Sequence, residues 1–186
     1  MSSTTLAYRL GKPDVECRYP VIIGADQAIG HAFRWHRDWL VQDSTGEYNL
    51  GRPPKGTRGI DMAAAHLAAE YAAGRIAAMP LVEAATEVHA NYGPVPLLHP
   101  RMPKTPRNIE GANTALEVLA EHRWTPLRGF PGSDNPWLLR CELCGWTGPK
   151  YWSHLRPQRG LPSTRRHDDG CVGDEKVRAL ISAYQK

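Results

Sequence analysis

Cysteine is scarce in this chain, with four in 186 residues, and three of the four fall between positions 141 and 171. So few thiols do not make a disulfide framework. Nothing at the N-terminus reads as a secretory signal, so the chain is expected to be cytoplasmic with its thiols reduced. Long apolar runs are missing too: no stretch approaches the ~20 residues that span a bilayer, which argues against a membrane partner. The glycine-rich stretch G-R-P-P-K-G at 51–56 lacks the Lys-Ser/Thr ending of a phosphate-binding loop. Cys17 has no histidine near it in sequence and reads as a small buried residue.

What is present is a cluster. Cys141 and Cys144 form a C-x2-C knuckle, and His167 and Cys171 follow with H-x3-C spacing. Two thiolates two residues apart can turn toward one tetrahedral ion, which then needs a second pair of ligands from elsewhere. We read Cys141, Cys144, His167 and Cys171 as a structural Zn2+ site, with His154 as the alternative fourth ligand. The H-x3-C pair runs into a helical pattern, which would place these ligands at a helix N-terminus.

The stretch W-T-P-L-R-G-F-P-G-S-D-N-P-W-L-L-R-C-E-L-C-G-W, Trp124 to Trp146, resembles a treble-clef or zinc-ribbon-like module of actinobacterial and phage proteins. The resemblance covers roughly residues 120–186. It departs from that pattern after Gly170-Cys171, where the last cysteine is missing and His167 must stand in for a thiolate. The resemblance implies a zinc-stapled module in a nucleic-acid-handling protein.

Charge is uneven. The formal net charge is +4, and between 140 and 166 six cations, Arg140, Lys150, Arg156, Arg159, Arg165 and Arg166, face a single carboxylate, Glu142. Such a stripe is the footprint of a polyanion contact or a solvated loop of a basic protein. Trp146, Tyr151 and Trp152 interleave with these cations. They can stack on unpaired bases or pack around the knuckle.

The first half reads as β-meander plus helices. Leu6 to Leu10, Val15 to Arg18 and Val21 to Ile23 suggest short strands. Ile29 to Trp35, Trp39 to Gln42 and Glu47 to Leu50 suggest three antiparallel strands, with a turn at 43–46. A helix with Asp61 as N-cap and Gly74 as stop follows, then a short amphipathic helix from Leu81 toward Gly93. In layout only, three strands and a helix resemble the sheet modules that lay a β-face in the DNA major groove, such as plant AP2 domains and the arm-binding domains of phage integrases. That analogy would make Arg34, His36, Arg37 and Trp39 DNA-facing; the competing and preferred reading puts Phe33, Trp35 and Trp39 in the core.

Prolines 94, 96, 100, 103 and 106 deny the backbone donors and disfavour helix, which predicts an extended connector. Beyond it, Ile109, Ala112, Leu116 and Leu119 form one helical face with Asn108 as a cap, and a last helix runs from Asp174 to Gln185 with Val177, Leu180, Ile181 and Tyr184 on one stripe. The expected organisation is α+β: residues 1–92, a connector at 93–107, and a zinc-binding treble-clef-like domain at 108–186 flanked by helices.

These features point to a zinc-containing nucleic-acid-binding accessory or regulatory protein, DNA favoured over RNA, of an actinobacterium or its phage. The candidate contact residues are Arg140, Lys150, Trp152, Arg156, Arg159, Arg165 and Arg166. The alternative is a structural or adaptor protein, such as a phage virion or assembly component, that uses the 93–107 segment for a protein partner or a second copy. An Ala, Arg, Gly and Pro bias fits a GC-rich genome and suits both. A treble-clef metal-dependent nuclease is a third possibility, but the final helix offers no His or Asn, so no enzyme and no catalytic residues are expected.

Overall fold

A computed structural model describes residues 6–81, 94–157, 160–168 and 170–185. The fold is α+β, as expected, and divides into two compact units, Met1–Ala90 and Asn91–Lys186. No described helix is long and apolar enough to cross a membrane.

The first unit is an antiparallel sheet in the order β1 (Arg9–Leu10), β2 (Tyr19–Ile23), β3 (Gln27–Trp35), β4 (Asp38–Gln42), β5 (Glu47–Gly51), with β6 (Met79–Pro80) pairing beside β3. The β3–β4–β5 meander follows the expected breaks. Trp35 pairs with Asp38 across a two-residue turn in which His36 takes φ 56°. Asp43 caps the next turn by accepting from the Thr45 amide (2.7 Å) and hydroxyl (2.6 Å), the local bonding that makes aspartate a turn residue.

Val15 to Arg18 is not the strand its composition suggested. The Asp14 carboxylate accepts from the amides of Glu16 and Arg18, both at 2.9 Å, and ion-pairs with Arg18 at 2.7 Å. These side-chain to backbone bonds wrap the chain into a turn and outcompete strand pairing.

A bulge in β3 sets the core. Ile22 pairs with Ala28 and Pro20 with His31, so three steps along β3 match two along β2. The extra residue resets the alternation, and Ile29 and Ala32 enter the same buried cluster. Gly30 lies inside the bulge at φ 145°, where a Cβ would stand 2.5 Å from the Gln42 carbonyl oxygen and 3.0 Å from Leu67. Only glycine lets the helix α1 (Gly59–Ala72) lie this close. Ala63, Ala64, Leu67 and Ala68 of α1 fill the space over Val21, Ile29, Ala32 and Val41.

Asp61, expected as the cap, sits inside the first turn of α1 and pairs with Arg58 at 3.0 Å; a carboxylate there still complements the helix dipole. The helix stops at Gly74, whose N–H donates to the Tyr71 carbonyl at 2.9 Å. Pro80, just ahead of the expected second helix, pairs as strand with Gln27, and apart from Leu81 that helix lies outside the described residues.

The sheet offers no single free face for the set Arg34, His36, Arg37 and Trp39. Arg34 stands opposite Trp39 in the ladder, and Trp39 packs against the core that α1 covers. On the other face His31, Phe33 and Leu40 are buried, and Arg18 reaches across to Gln42 at 2.7 Å. His36 and Arg37 alone are exposed at the turn.

The second unit holds a three-stranded antiparallel sheet, β7 (Trp124–Pro126), β8 (Pro136–Cys141) and β9 (Thr147–Tyr151), with helices α2 (Pro106–Glu121), α3 (Trp152–Leu155) and α4 (Asp174–Leu180) and a final 3-10 turn, Ser182–Tyr184. Thr105, not Asn108, caps α2: its hydroxyl accepts the Asn108 amide at 3.3 Å, and Pro106 takes the first helical position, where its missing N–H costs nothing. Ala112, Ala115 and Leu119 form the buried face, while Ile109 is exposed. Of the final stripe, Val177 and Ile181 are buried and Leu180 is exposed, and the helix ends at Leu180, short of the expected Gln185.

The proline run is extended but is no free connector. The Phe130 amide donates to the Leu97 carbonyl at 2.9 Å and the His99 amide to the Phe130 carbonyl at 3.0 Å. Leu98 is buried among Trp124, Phe130, Trp137 and Trp152. Aromatic rings bury large areas each and carry this core.

Candidate metal centre

Strand β8 ends on Cys141, whose N–H donates to the Trp146 carbonyl at 2.8 Å, while the Gly145 N–H returns to the Cys141 carbonyl at 2.8 Å. Gly145 takes φ 78°, a left-handed conformation that glycine adopts without steric cost. This tight loop holds the sulfurs of Cys141 and Cys144 side by side. His167 and Cys171 arrive from the segment between α3 and α4.

All four donor atoms lie within 4.8 Å of one another. Cys141 Sγ stands 3.8 Å from Cys171 Sγ, and Cys144 Sγ 3.1 Å from His167 Nε2. A tetrahedral ion with bonds of about 2.3 Å to sulfur separates its ligands by about 3.8 Å. Three cysteines and one histidine therefore fit a tetrahedral metal ion. His154, the alternative ligand, lies exposed on α3 beside Tyr151 and is not in the cluster. Nor do the two later ligands occupy a helix's first turn: Cys171 precedes Gly173, the N-cap of α4, and His167 lies further upstream.

Arg166 is 5% exposed and surrounds the cluster with its own bonds. Its Nε donates to Cys141 Sγ at 3.1 Å, and its terminal nitrogens donate to the carbonyls of His122 (2.7 Å) and Arg123 (2.8 Å). The guanidinium also lies over the Trp124 ring, 4.0 Å from its centre. Burial is the largest influence on Cys141 and raises its thiol, but the Arg166 hydrogen bond and charge, with the Leu143 amide, outweigh it and leave the pKa lowered. Burial pushes Cys171 the other way, to about 11. Trp146 stacks on His167 with ring centres 4.5 Å apart and planes 3° from parallel, which fixes the imidazole plane.

No protein-family model matches this chain, and no curated protein or solved structure matches it either.

The candidate contact residues separate into three groups. Arg140 and Arg165 are exposed, the latter 3.4 Å from Asp168. Lys150 and Arg156 are half-buried, and Lys150 has its pKa lowered by burial. Trp152, 6% exposed, and Arg166 are core residues, so neither is free to meet a nucleic acid: one fills the aromatic cluster, the other supports the Cys141 sulfur. Arg159 lies outside the described residues. Sequence reasoning missed the part played by Arg166, whose one signal was its position beside the ligand His167.

Proposed function

We propose that the second unit is a zinc-stapled, treble-clef-like module that binds nucleic acid, DNA in preference to RNA, without catalytic use of the metal. The observation that carries this reading is the donor set. Three thiolates and one imidazole suit zinc, and reduced thiols fit a cytoplasmic setting. Four protein ligands leave no open position for a substrate or an activated water, which is the arrangement of structural rather than hydrolytic zinc. The knuckle at a hairpin, followed by two ligands ahead of a helix, favours the treble-clef-like description. Around it, Arg140, Lys150, Arg156 and Arg165 supply the positive charge that a phosphate backbone requires.

Fluorescence anisotropy of the zinc-loaded chain with duplex and single-stranded DNA tests this. Affinity falls at least about tenfold between roughly 50 and 200 mM salt if several phosphates are contacted. Replacing Arg140 and Arg165 together by alanine weakens binding to every sequence alike. Absence of binding at low salt overturns the reading and favours the adaptor role, for which the exposed Val95, Leu97, Leu161 and Leu180 provide apolar contact surface.

A further inference from the structure

The second unit contains a cleft of about 210 Å³ that the metal cluster does not use. It opens between the end of α2, strand β9, helix α3 and the segment leading to Arg166. Among the described residues its polar lining is cationic or neutral: Lys150, Arg165, Arg166, His122, His154 and the Ser163 hydroxyl stand on it, and no described carboxylate does. Leu119, Trp124 and Leu155 make the apolar remainder. Lys150 is half-buried beside the buried Arg166 and the exposed Arg165; like charges held this close repel, and the buried ones lose hydration. An anion that enters the cleft relieves both costs.

Three details sharpen the ligand. Lys150 forms no ion pair within 4 Å among the described residues; its ammonium sits 5.3 Å from the centre of the Trp146 ring. His122 is 4% exposed, and its Nδ1 is buried with no hydrogen-bond partner, a position that in native proteins calls for an explanation. Ser163 Oγ accepts the Arg165 amide at 3.1 Å, which leaves its hydroxyl hydrogen to donate outward. Tyr184 fixes the rim by donating to the Pro162 carbonyl at 2.6 Å. Of the described carboxylates nearby, Glu121 acts on His122, and Asp168 is 97% exposed and pairs with Arg165 at 3.4 Å, an exchangeable surface contact.

The cleft is smaller than the roughly 300 Å³ at which drug-sized sites begin, so it accommodates one small group rather than a strand passing through. A second, more open polar depression of about 410 Å³ adjoins it, shares His154, Pro162 and Ser163, and adds Arg156. A small cationic cleft that continues into a more open polar depression suits the end of a chain better than its middle.

We propose that this cleft receives the terminal phosphate of a nucleic-acid strand, with Lys150, Arg165 and Ser163 as its donors and the Arg156 depression as the path of the adjoining nucleotides. This deepens the nucleic-acid reading above and rests on it.

The test compares a short single-stranded oligodeoxynucleotide bearing a 5′-phosphate, the same strand with a 5′-hydroxyl, and the same strand with a 3′-phosphate, by anisotropy against the full zinc-loaded chain. One phosphorylated strand is expected to bind at least about tenfold more tightly than the hydroxyl strand, the scale of one or two charge-assisted hydrogen bonds. Lys150→Gln and Arg165→Gln should erase that preference, with metal content and circular dichroism confirming that they fold. Arg140→Gln, outside the cleft, should weaken all three strands equally and keep the preference. Equal binding of the three strands overturns the cleft proposal while leaving the nucleic-acid reading standing; no binding of any strand overturns both. Competition by inorganic phosphate as effective as by the phosphorylated strand also overturns it, because the cleft would then be a site for the free anion.

Discussion

The two units bury their interiors in different ways. In the first, a five-strand meander and an alanine-rich helix meet along a surface of small and branched side chains, and the buried polar residues Asp14, His31 and Asp43 are not part of that cluster. In the second, large rings, a three-stranded sheet and a cluster of three thiols and an imidazole share the interior, and a guanidinium is buried among them. The first design draws its stability mainly from contact area. The second places much of it in one centre, because structural metal binding in a small module is folding free energy.

The widest separation of the two should come from chelation. Removing the metal withdraws on the order of 10 kcal/mol of apparent binding energy, so the second unit should lose its protease resistance and the first should keep it. Limited proteolysis with mass mapping, with and without chelator, reads this directly; uniform resistance in both states would break the contrast. The reciprocal experiment is Leu67→Ala. Leu67 is fully buried between α1 and the sheet, and its truncation should cost about 2–5 kcal/mol in the first unit while metal affinity stays unchanged, as followed by denaturant melts and metal titration.

Arg166→Ala comes next in size. It leaves the carbonyls of His122 and Arg123 and the Cys141 sulfur without their donor, and unmade buried hydrogen bonds cost about 1–3 kcal/mol each before relaxation. Arg166→Lys should recover little, since an ammonium does not reproduce the planar fork. Both variants should bind the metal more weakly in a competition titration, and unchanged affinity would reduce Arg166 to a packing residue.

The smallest effect is a pH dependence that His99 gives the second unit. Burial, aided by the Arg101 charge, pushes His99 down to about 4, and its Nδ1 accepts the Arg101 amide at 3.1 Å. The unfolded chain has an ordinary histidine of about 6.5 and so binds more protons below that value. Its contribution is therefore complete above about pH 6.5 and is lost as pH falls toward 4. Denaturant melts of metal-saturated wild type and His99→Gln should diverge in slope across this window; parallel curves would show that His99 titrates normally.

Much of this was legible from residue order. The alternation from Ile29 to Trp35, the Asp43–Gly46 turn and the C-x2-C knuckle are local patterns, and local patterns survive translation into structure. What escaped was decided by neighbours distant in sequence. Gly30 is needed because the Gln42 carbonyl and Leu67 leave no room for a Cβ there. Arg166 and Trp152 look like surface contact residues until the sheet and α2 close over them. Val15 to Arg18 has strand composition, yet one carboxylate at Asp14 organises it as a turn. The choice between His154 and His167 was equally open, since spacing admits both and only the path of the chain after α3 separates them.

The short parallel bridge between Leu98 and Phe130 governs how this protein can be dissected. A fragment beginning at the start of α2 would discard the Thr105 cap and the strip that shields Phe130, exposing an aromatic seam to solvent. An excised metal module that begins upstream of residue 94 retains that shield. One that begins at 108 carries a wound in its hydrophobic interior, and its poor solubility would say nothing about whether the metal ligands are correct.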